Sequence, residues 1–204
     1  VTPTAPDGRP LLGRTIRLDP AELHDADELH AAMNHDAVWS SGYNGGMRMT
    51  APVGWRRFMM RAVDVEDRVM YIVRAIDPQS KAPGRIVGTT SLAEIDLHNE
   101  RMHLGWTAYT PDVWGTSVNP ECKLLLLWHA FDHCGFGRVK IQTDAINARS
   151  QAAIAKLGAT REGVLRRHMK RADGSWRDTV VYSVIRDEWP LVRAGLELRL
   201  SDLS

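Results

Sequence analysis

Trp114-Gly115-Thr116-Ser117-Val118-Asn119 has the residue types of an anion-binding turn, set between a strand-like and a helix-like segment. A helix N-terminus presents unpaired N–H groups and the positive end of the helix dipole. Gly115 permits backbone angles that other residues avoid, while Thr116 and Ser117 are small and carry hydroxyls. A phosphate can therefore approach the backbone directly. Lys123, one turn further on, adds positive charge from the side. The turn is not a Walker loop, because no Gly-Lys-[Ser/Thr] triplet follows, and it lacks the three-glycine spacing of a dinucleotide fingerprint. An ordinary β-to-α connection has the same composition, and the turn alone does not decide between the two.

Other chemistry-bearing residues point to less. His129 and His133 stand at i, i+4 on a helix-like stretch, but no third ligand has suitable spacing, so no metal is expected. Cys122 lies within a leucine-rich helix rather than at an exposed, activated position, so it is not expected to be a nucleophile. Cys122 and Cys134 are twelve residues apart in one apolar stretch and are read as reduced, buried thiols.

The elements that must position the turn follow from periodicity. Residues 1–13 carry three prolines and two glycines with almost no periodic apolar pattern, and are read as a flexible N-terminal arm to a single domain over 14–200. Thr15–Leu18 alternates like a strand. Asp19-Pro20 then offers an N-cap and a first-turn proline for a helix carrying Leu23, Ala26, Leu29 and Met33. A loop follows over Ser40–Gly46, and a second helix from near Thr50 carries Trp55, Phe58, Met59 and Val63. Met70–Ile76 (stopped by Asp77-Pro78), Ile86–Leu92 and Met102–Tyr109 read as three strands of an antiparallel meander. Asn119 as N-cap and Pro120 just inside start a helix that runs to Gly135 and is apolar almost all round, hence buried. A strand over Val139–Thr143 and a helix over Asn147–Leu157 come next. Two strands near 160–169 and 176–185 follow, turned at Asp173-Gly174, and then a terminal helix. The fold class is mixed α/β (α+β), one sheet with helices on both faces.

Composition sets the outer limits. With 204 residues, 44% hydrophobic and 25% charged, the chain has the balance of a globular domain large enough to need no disulfide. The 26 basic and 25 acidic residues leave a net charge of +1, so no nucleic acid or membrane surface is expected as partner. No apolar run reaches the length of a membrane span, and Val1–Gly8 lacks the basic-then-apolar pattern of a secretory leader. A reducing, cytoplasmic setting is the expectation.

Read in order, several segments together resemble the GNAT superfamily of acyl-CoA N-acyltransferases, in particular its RimJ/RimL-like branch. They are Leu104-Gly105-Trp106-Thr107, Trp114-Gly115-Thr116, Asn119-Pro120-Glu121-Cys122-Lys123-Leu124-Leu125-Leu126 and Ala130-Phe131-Asp132. They continue in Arg138-Val139, Asn147-x-x-Ser150-x-x-Ala153-Ile154, Leu157-Gly158-Ala159, Glu162–Arg166 and Arg177-Asp178-Thr179. The likeness spans roughly residues 12–190, with the segments in family order and spacing. The family's phosphate turn usually has a second Gly or Ala where Ser117 stands here, and serine is small enough to serve.

The resemblance implies a mostly antiparallel sheet with splayed middle strands, the strands matching Met102–Tyr109 and Val139–Thr143. Acetyl-CoA is the implied cosubstrate. Its pantetheine arm would bond the backbone of Thr107, Ala108 and Tyr109, with an N–H there polarising the thioester carbonyl. Its pyrophosphate would rest on the turn from Trp114 through Gly115, Thr116, Ser117 and Val118 to Asn119, with Lys123 nearby. Ser150 would face the sulfur and protonate the departing thiolate, or simply satisfy a backbone N–H at the helix start. Asn147 would cap that helix and bond the pantetheine amide. For the base, His103 and the carboxylates Glu94 and Asp96 all stay open. The position matching the glutamate assigned as base in RimL-like proteins is Met169, which cannot serve. Trp39, Tyr43, Trp55 and Met59 either line an acceptor pocket or are plain core, and the loop Gly42–Gly46 would close over the acceptor.

The expected reaction is acetyl transfer to a primary amine, on a small molecule or a protein N-terminus, by direct attack in a ternary complex. The alternatives are a non-catalytic acyl-CoA-binding or sensing module, and an N-acyltransferase with a different acyl donor. Monomer and homodimer are both open.

Overall fold

A computed structural model describes residues 2–40, 42–64, 68–77, 79–80 and 82–203. Ser41 of the expected loop, Pro78 at the expected strand end and the side chain of Val63 lie outside the described residues. The strands are β1 (Leu11–Leu12), β2 (Ile16–Pro20), β3 (Val69–Ile76), β4 (Pro83–Asp96), β5 (Arg101–Tyr109), β6 (Arg138–Asp144), β7 (Thr160–Lys170) and β8 (Trp176–Ile185). They form one sheet in the order β1-β2-β3-β4-β5-β6-β8-β7. All neighbours are antiparallel except β5 and β6.

Helices α1 (Ala26–Met33), α2 (Asp36–Ser40) and α3 (Pro52–Asp64) cover one face, over a core that includes Leu29, Met33, Trp39, Trp55 and Ile72. Helices α4 (Val118–Trp128) and α6 (Trp189–Asp202) cover the other, over a core with Leu18, Leu104, Leu126, Val139 and Trp189. Helix α5 (Ala148–Ala155) packs beside β6. This explains the burial along β4: Ile86–Ala93 is buried at every position because both of its faces are covered. Cys122 and Cys134 are free and buried. Among the described residues no helix is long and apolar enough to cross a membrane.

Three sequence expectations are corrected. Asp19-Pro20 does not open a helix; it completes β2, with Asp19 opposite Ile72 and Pro20 opposite Tyr71. Arg17 holds the Asp19 carboxylate in place at 2.5 Å, and the helical segment begins after Glu22, whose N–H donates to the Asp25 carboxylate at 2.9 Å. Asn119 is not the N-cap of α4 but lies in its first turn. Ser117 holds the N-cap position without a side-chain capping bond, Thr116 Oγ1 accepts the Val118 N–H at 3.3 Å, and the helix starts one residue earlier than Asn119. Pro120 is tolerated because a first-turn N–H has no intrahelical acceptor.

The third correction concerns the arm over 1–13, which is not detached. Pro3, Pro6 and Leu11 are buried, the Thr4 N–H donates to Cys134 O at 2.8 Å, and Leu11–Leu12 adds an edge strand to β2. The anchor is Glu121 of α4, buried, whose carboxylate accepts the backbone N–H groups of Arg14 and Thr15 and the Thr15 hydroxyl. Glu121→Ala strands those donors in a dry setting and is expected to cost about 2–4 kcal/mol in urea unfolding. A loss within about 0.5 kcal/mol would show that water replaces the carboxylate.

Candidate active site

β5 and β6 run parallel and pair only at Arg101↔Arg138, Met102↔Val139 and His103↔Lys140. Beyond His103 they part. The cause lies in β5, where Trp106 adopts a left-handed φ of 48° and the register against β4 slips between Ser91↔Gly105 and Thr89↔Ala108. That slip places one extra residue on β5, a bulge that bends the strand away from β6. From Leu104 to Tyr109 the β6-facing edge of β5 has no strand partner, and the gap opens into a cleft of about 770 Å³. A non-glycine residue at positive φ beside a cleft is a strain signature often met at functional sites.

Thr107, Ala108, Tyr109, Trp114, Gly115, Asn119, Lys123, Asn147 and Ser150 all line the cleft, so the sequence-predicted cofactor residues converge on it. Thr116 and Ser117 sit on the outer side of the turn, and Val118 is buried beneath it. Gly115 has φ 80° with open space where a side chain would start, so its backbone angle, not crowding, calls for glycine. Trp114 ties the walls together: its indole N–H donates to Tyr109 O at 3.0 Å, and the Arg149 guanidinium lies 3.6 Å from its ring. Asn147 Oδ1 accepts the Ser150 N–H at 2.9 Å, capping α5 as expected.

Lys123 sits differently from its expected place beside the turn. Its ammonium reaches under β5 and donates to Thr107 Oγ1 at 2.8 Å, and that hydroxyl is 2.8 Å from Thr90 Oγ1. It is 8% exposed and pairs with no carboxylate among the described residues. Burial holds its pKa down at about 8.

At the apex of the gap, His103 is buried with Nδ1 3.0 Å from Glu94 Oε1, and Lys140 Nζ is 2.5 Å from Glu94 Oε2. The hydrogen bond from His103, reinforced by Lys140, keeps the Glu94 pKa down at about 2. Glu94 is off the cleft wall and ionised, so it is corrected from proton acceptor to partner of His103. Burial lowers the pKa of His103 despite the opposing carboxylate, and the ring is neutral at pH 7. With Nδ1–H given to Glu94, the lone pair falls on Nε2, which is buried, has no hydrogen-bond partner among the described residues and packs against Gly105. A side chain at 105 would collide with that nitrogen, 2.7 Å from an added Cβ. Asp96 instead ties the β4–β5 turn through Asn99 and Arg101.

On the opposite side, the loop Tyr43–Gly46 meets the β7–β8 hairpin, where the Ala172 N–H donates to Gly45 O at 3.0 Å. Together they roof the cleft. Tyr43 lines it, but Trp39 and Trp55 do not: both are buried in the core under α1–α3, 6.0 Å apart ring to ring, as is Met59. Sequence reading missed Asp144, Arg171 and Arg177 on this wall. Asp144 and Arg171 are 27 residues apart and meet only because β7 and β8 fold back past the end of β6, so no local spacing announces them.

Comparison with known proteins bears on the same region. The acetyltransferase (GNAT) domain family matches residues 15–160, a span that includes the parted strands, the Gly115 turn and α5. The uncharacterized N-acetyltransferase YoaA of Bacillus subtilis (strain 168) is 26% identical over 101 residues, which are 50% of this chain and 56% of that protein. The chain therefore spans little more than half the length of this curated relative. A GCN5-related N-acetyltransferase from Brucella melitensis superposes with a TM-score of 0.87 at 26% identity, over 98% of this chain and 89% of that one. Mycobacterium smegmatis RimJ, solved in complex with CoA-disulfide, shares the fold at a TM-score of 0.76 and 18% identity, over 93% of this chain and 92% of that one. By the extent of the family match and the architecture it shares with these structures, the chain belongs to the GNAT acetyltransferase family.

Proposed function

We propose that this protein transfers an acetyl group from acetyl-CoA to a primary amine, on a small molecule or a protein N-terminus, by direct attack in a ternary complex of the RimJ/RimL-like kind. One observation carries the reading: the unpartnered edge of β5 runs from a neutral histidine at the apex to an open, glycine-containing helix start at the mouth. An edge without a strand partner suits an extended amide-bearing arm, which docks like an added strand. The N–H groups at the start of α4 suit a pyrophosphate. Buried thiols and the near-neutral charge fit a reducing, cytoplasmic setting.

Acetyl-CoA supplies the activated acyl group as a thioester. The chain supplies the rest. Thr107, Ala108 and Tyr109 hold the arm, and an N–H among them faces the carbonyl oxygen on which charge develops. His103 Nε2 takes the proton that the amine sheds as its nitrogen bonds the acyl carbon. Ser150 gives a proton to the sulfur as the carbon–sulfur bond breaks and regains one from solvent, to which His103 releases the proton it took.

Thiol release from acetyl-CoA, measured across a panel of amines and N-terminal peptides, tests the whole reading. Thermal unfolding with CoA tests the cofactor half alone. Ser150→Ala is expected to lower kcat by about 10²-fold while CoA still raises Tm. Equal losses of turnover and of CoA binding would leave Ser150 a holder of cofactor only.

A further inference from the structure

The side of the cleft lined by the β7–β8 hairpin is positively charged, and one of its cations, Arg177, feels the Asp144 charge but makes no direct ion pair among the described residues. Asp144, at the end of β6, is the carboxylate on this wall and is 3% exposed. It is fully engaged: Arg171 Nε and Nη2 donate to its two oxygens at 2.7 and 2.9 Å, and the Ile146 N–H donates at 3.2 Å. Arg171 also donates to Ser175 Oγ and Trp176 O, which fixes its fork within the hairpin. Arg177, one strand over on β8, also lines the cleft. Its Nε is buried without a hydrogen-bond partner, and it forms no ion pair among the described residues. Lys170, from the same hairpin, lies over the Trp176 ring at 5.5 Å and adds a third positive charge. Asp173 and Asp178 act on Arg171 from outside the cleft lining, and within the lining three cations of this wall face one saturated carboxylate.

Arg177 is half-buried, and its buried, unsatisfied Nε–H is a cost that an arriving anion can offset. The planar guanidinium fork matches a carboxylate in two parallel hydrogen bonds. We infer that the acceptor is a carboxylate-bearing amine whose carboxylate is received by Arg177, with Arg171 and Lys170 adding attraction. This inference rests on the N-acyltransferase reading and names its substrate class. A free amino acid and a peptide with an acidic side chain near its N-terminus both carry this group. The structure places Arg177 on the acceptor wall, under the roof formed by Gly45 and Ala172, where either kind of acceptor meets it.

Matched acceptors separate the possibilities: free amino acids against their amides, and peptides with Glu or Asp near the N-terminus against the Gln or Asn versions. Wild-type protein is expected to show kcat/KM about 10- to 100-fold higher for the carboxylate member of at least one series, and that series names the source. Arg177→Met is expected to erase the preference, and Arg177→Lys, which keeps charge but not the fork, to retain part of it. The free-protein Tm and its rise with CoA confirm that each variant is folded and binds cofactor. No preference in wild-type protein, or a preference that survives in Arg177→Met, overturns the inference while the parent reading stands on thiol release. If no amine releases thiol, the parent reading fails, and titration calorimetry with the matched pairs still decides the subsite. Carboxylate-dependent binding lost in Arg177→Met supports it, and equal binding of both members sinks it.

Discussion

Lys123→Met is expected to raise the stability of the free protein at pH 7 while weakening its grip on acyl-CoA. Wild-type Lys123 is buried, holds one hydroxyl and meets no carboxylate among the described residues. Its pKa falls from 10.5 to about 8, which corresponds to roughly 3 kcal/mol of native-state penalty while the lysine is charged. Methionine keeps most of the unbranched stem and removes the charge; losing the bond to Thr107 returns about 1 kcal/mol. The net gain is about 2 kcal/mol, on the order of 4–8 °C in Tm for a chain of this size.

The sign with pH is fixed by the direction of the shift. Between about pH 8 and 10.5 the unfolded lysine is protonated and the folded one is not, so wild-type stability rises with pH through that window. The advantage of Lys123→Met therefore shrinks over the same range, which urea melts at pH 7 and pH 10 would register. Function should move the other way. Lys123 lines the cleft beside Thr107, and under the proposed function its buried ammonium serves a ligand oxygen or sulfur. A tenfold or larger loss of CoA affinity is expected. A variant that is less stable and binds CoA normally would make Lys123 a structural residue whose bond to Thr107 outweighs its desolvation.

The cofactor end was more legible in the sequence than the acceptor end, and the reason is physical. Gly115, Thr116, Asn119, Asn147 and Ser150, the proposed cofactor residues, lie at two helix starts, where short-range residue types describe the backbone. The bulge at Trp106 and the Glu94–His103–Lys140 cluster depend on register: Ala93 stands opposite His103, and His103 opposite Lys140, across two different strand pairs. No spacing within one segment encodes that alignment, which is why Glu94 read as a rival to His103 when it is its partner. Trp39 and Trp55 show the converse limit. Large aromatics near a glycine-rich loop suit a pocket or a core equally well, and only packing against α1 and α3 decides for core. The docking of residues 2–12 is equally non-local: the Thr4 N–H meets Cys134 O, and Glu121 holds Arg14 and Thr15 just beyond, across separations that no segment pattern encodes.

His103→Ala is expected to lower kcat by about 10²- to 10⁴-fold, the usual loss for a positioned base, with the largest effect on lysine-like amines. An α-amine of pKa about 8 is partly neutral at pH 7, but a lysine amine near 10.4 is almost wholly protonated and depends more on the base. Because burial lowers the His103 pKa, the wild-type kcat profile should be flat through neutral pH and fall only below about 6.5. The same shift couples to folding. Neutral His103 stabilises the native state above about pH 6.5, and this is lost as pH falls through the lowered folded pKa. Glu94→Gln keeps an oxygen to accept the Nδ1–H but removes the charge that raises the His103 pKa, so the acid limb should move further down and the plateau should drop with it. Those two changes together separate an orienting carboxylate from a mere surface charge. An acid limb unchanged in both variants would assign the proton transfer to another group, and a His103→Ala enzyme within about threefold of wild type would mean that the amine loses its proton to water.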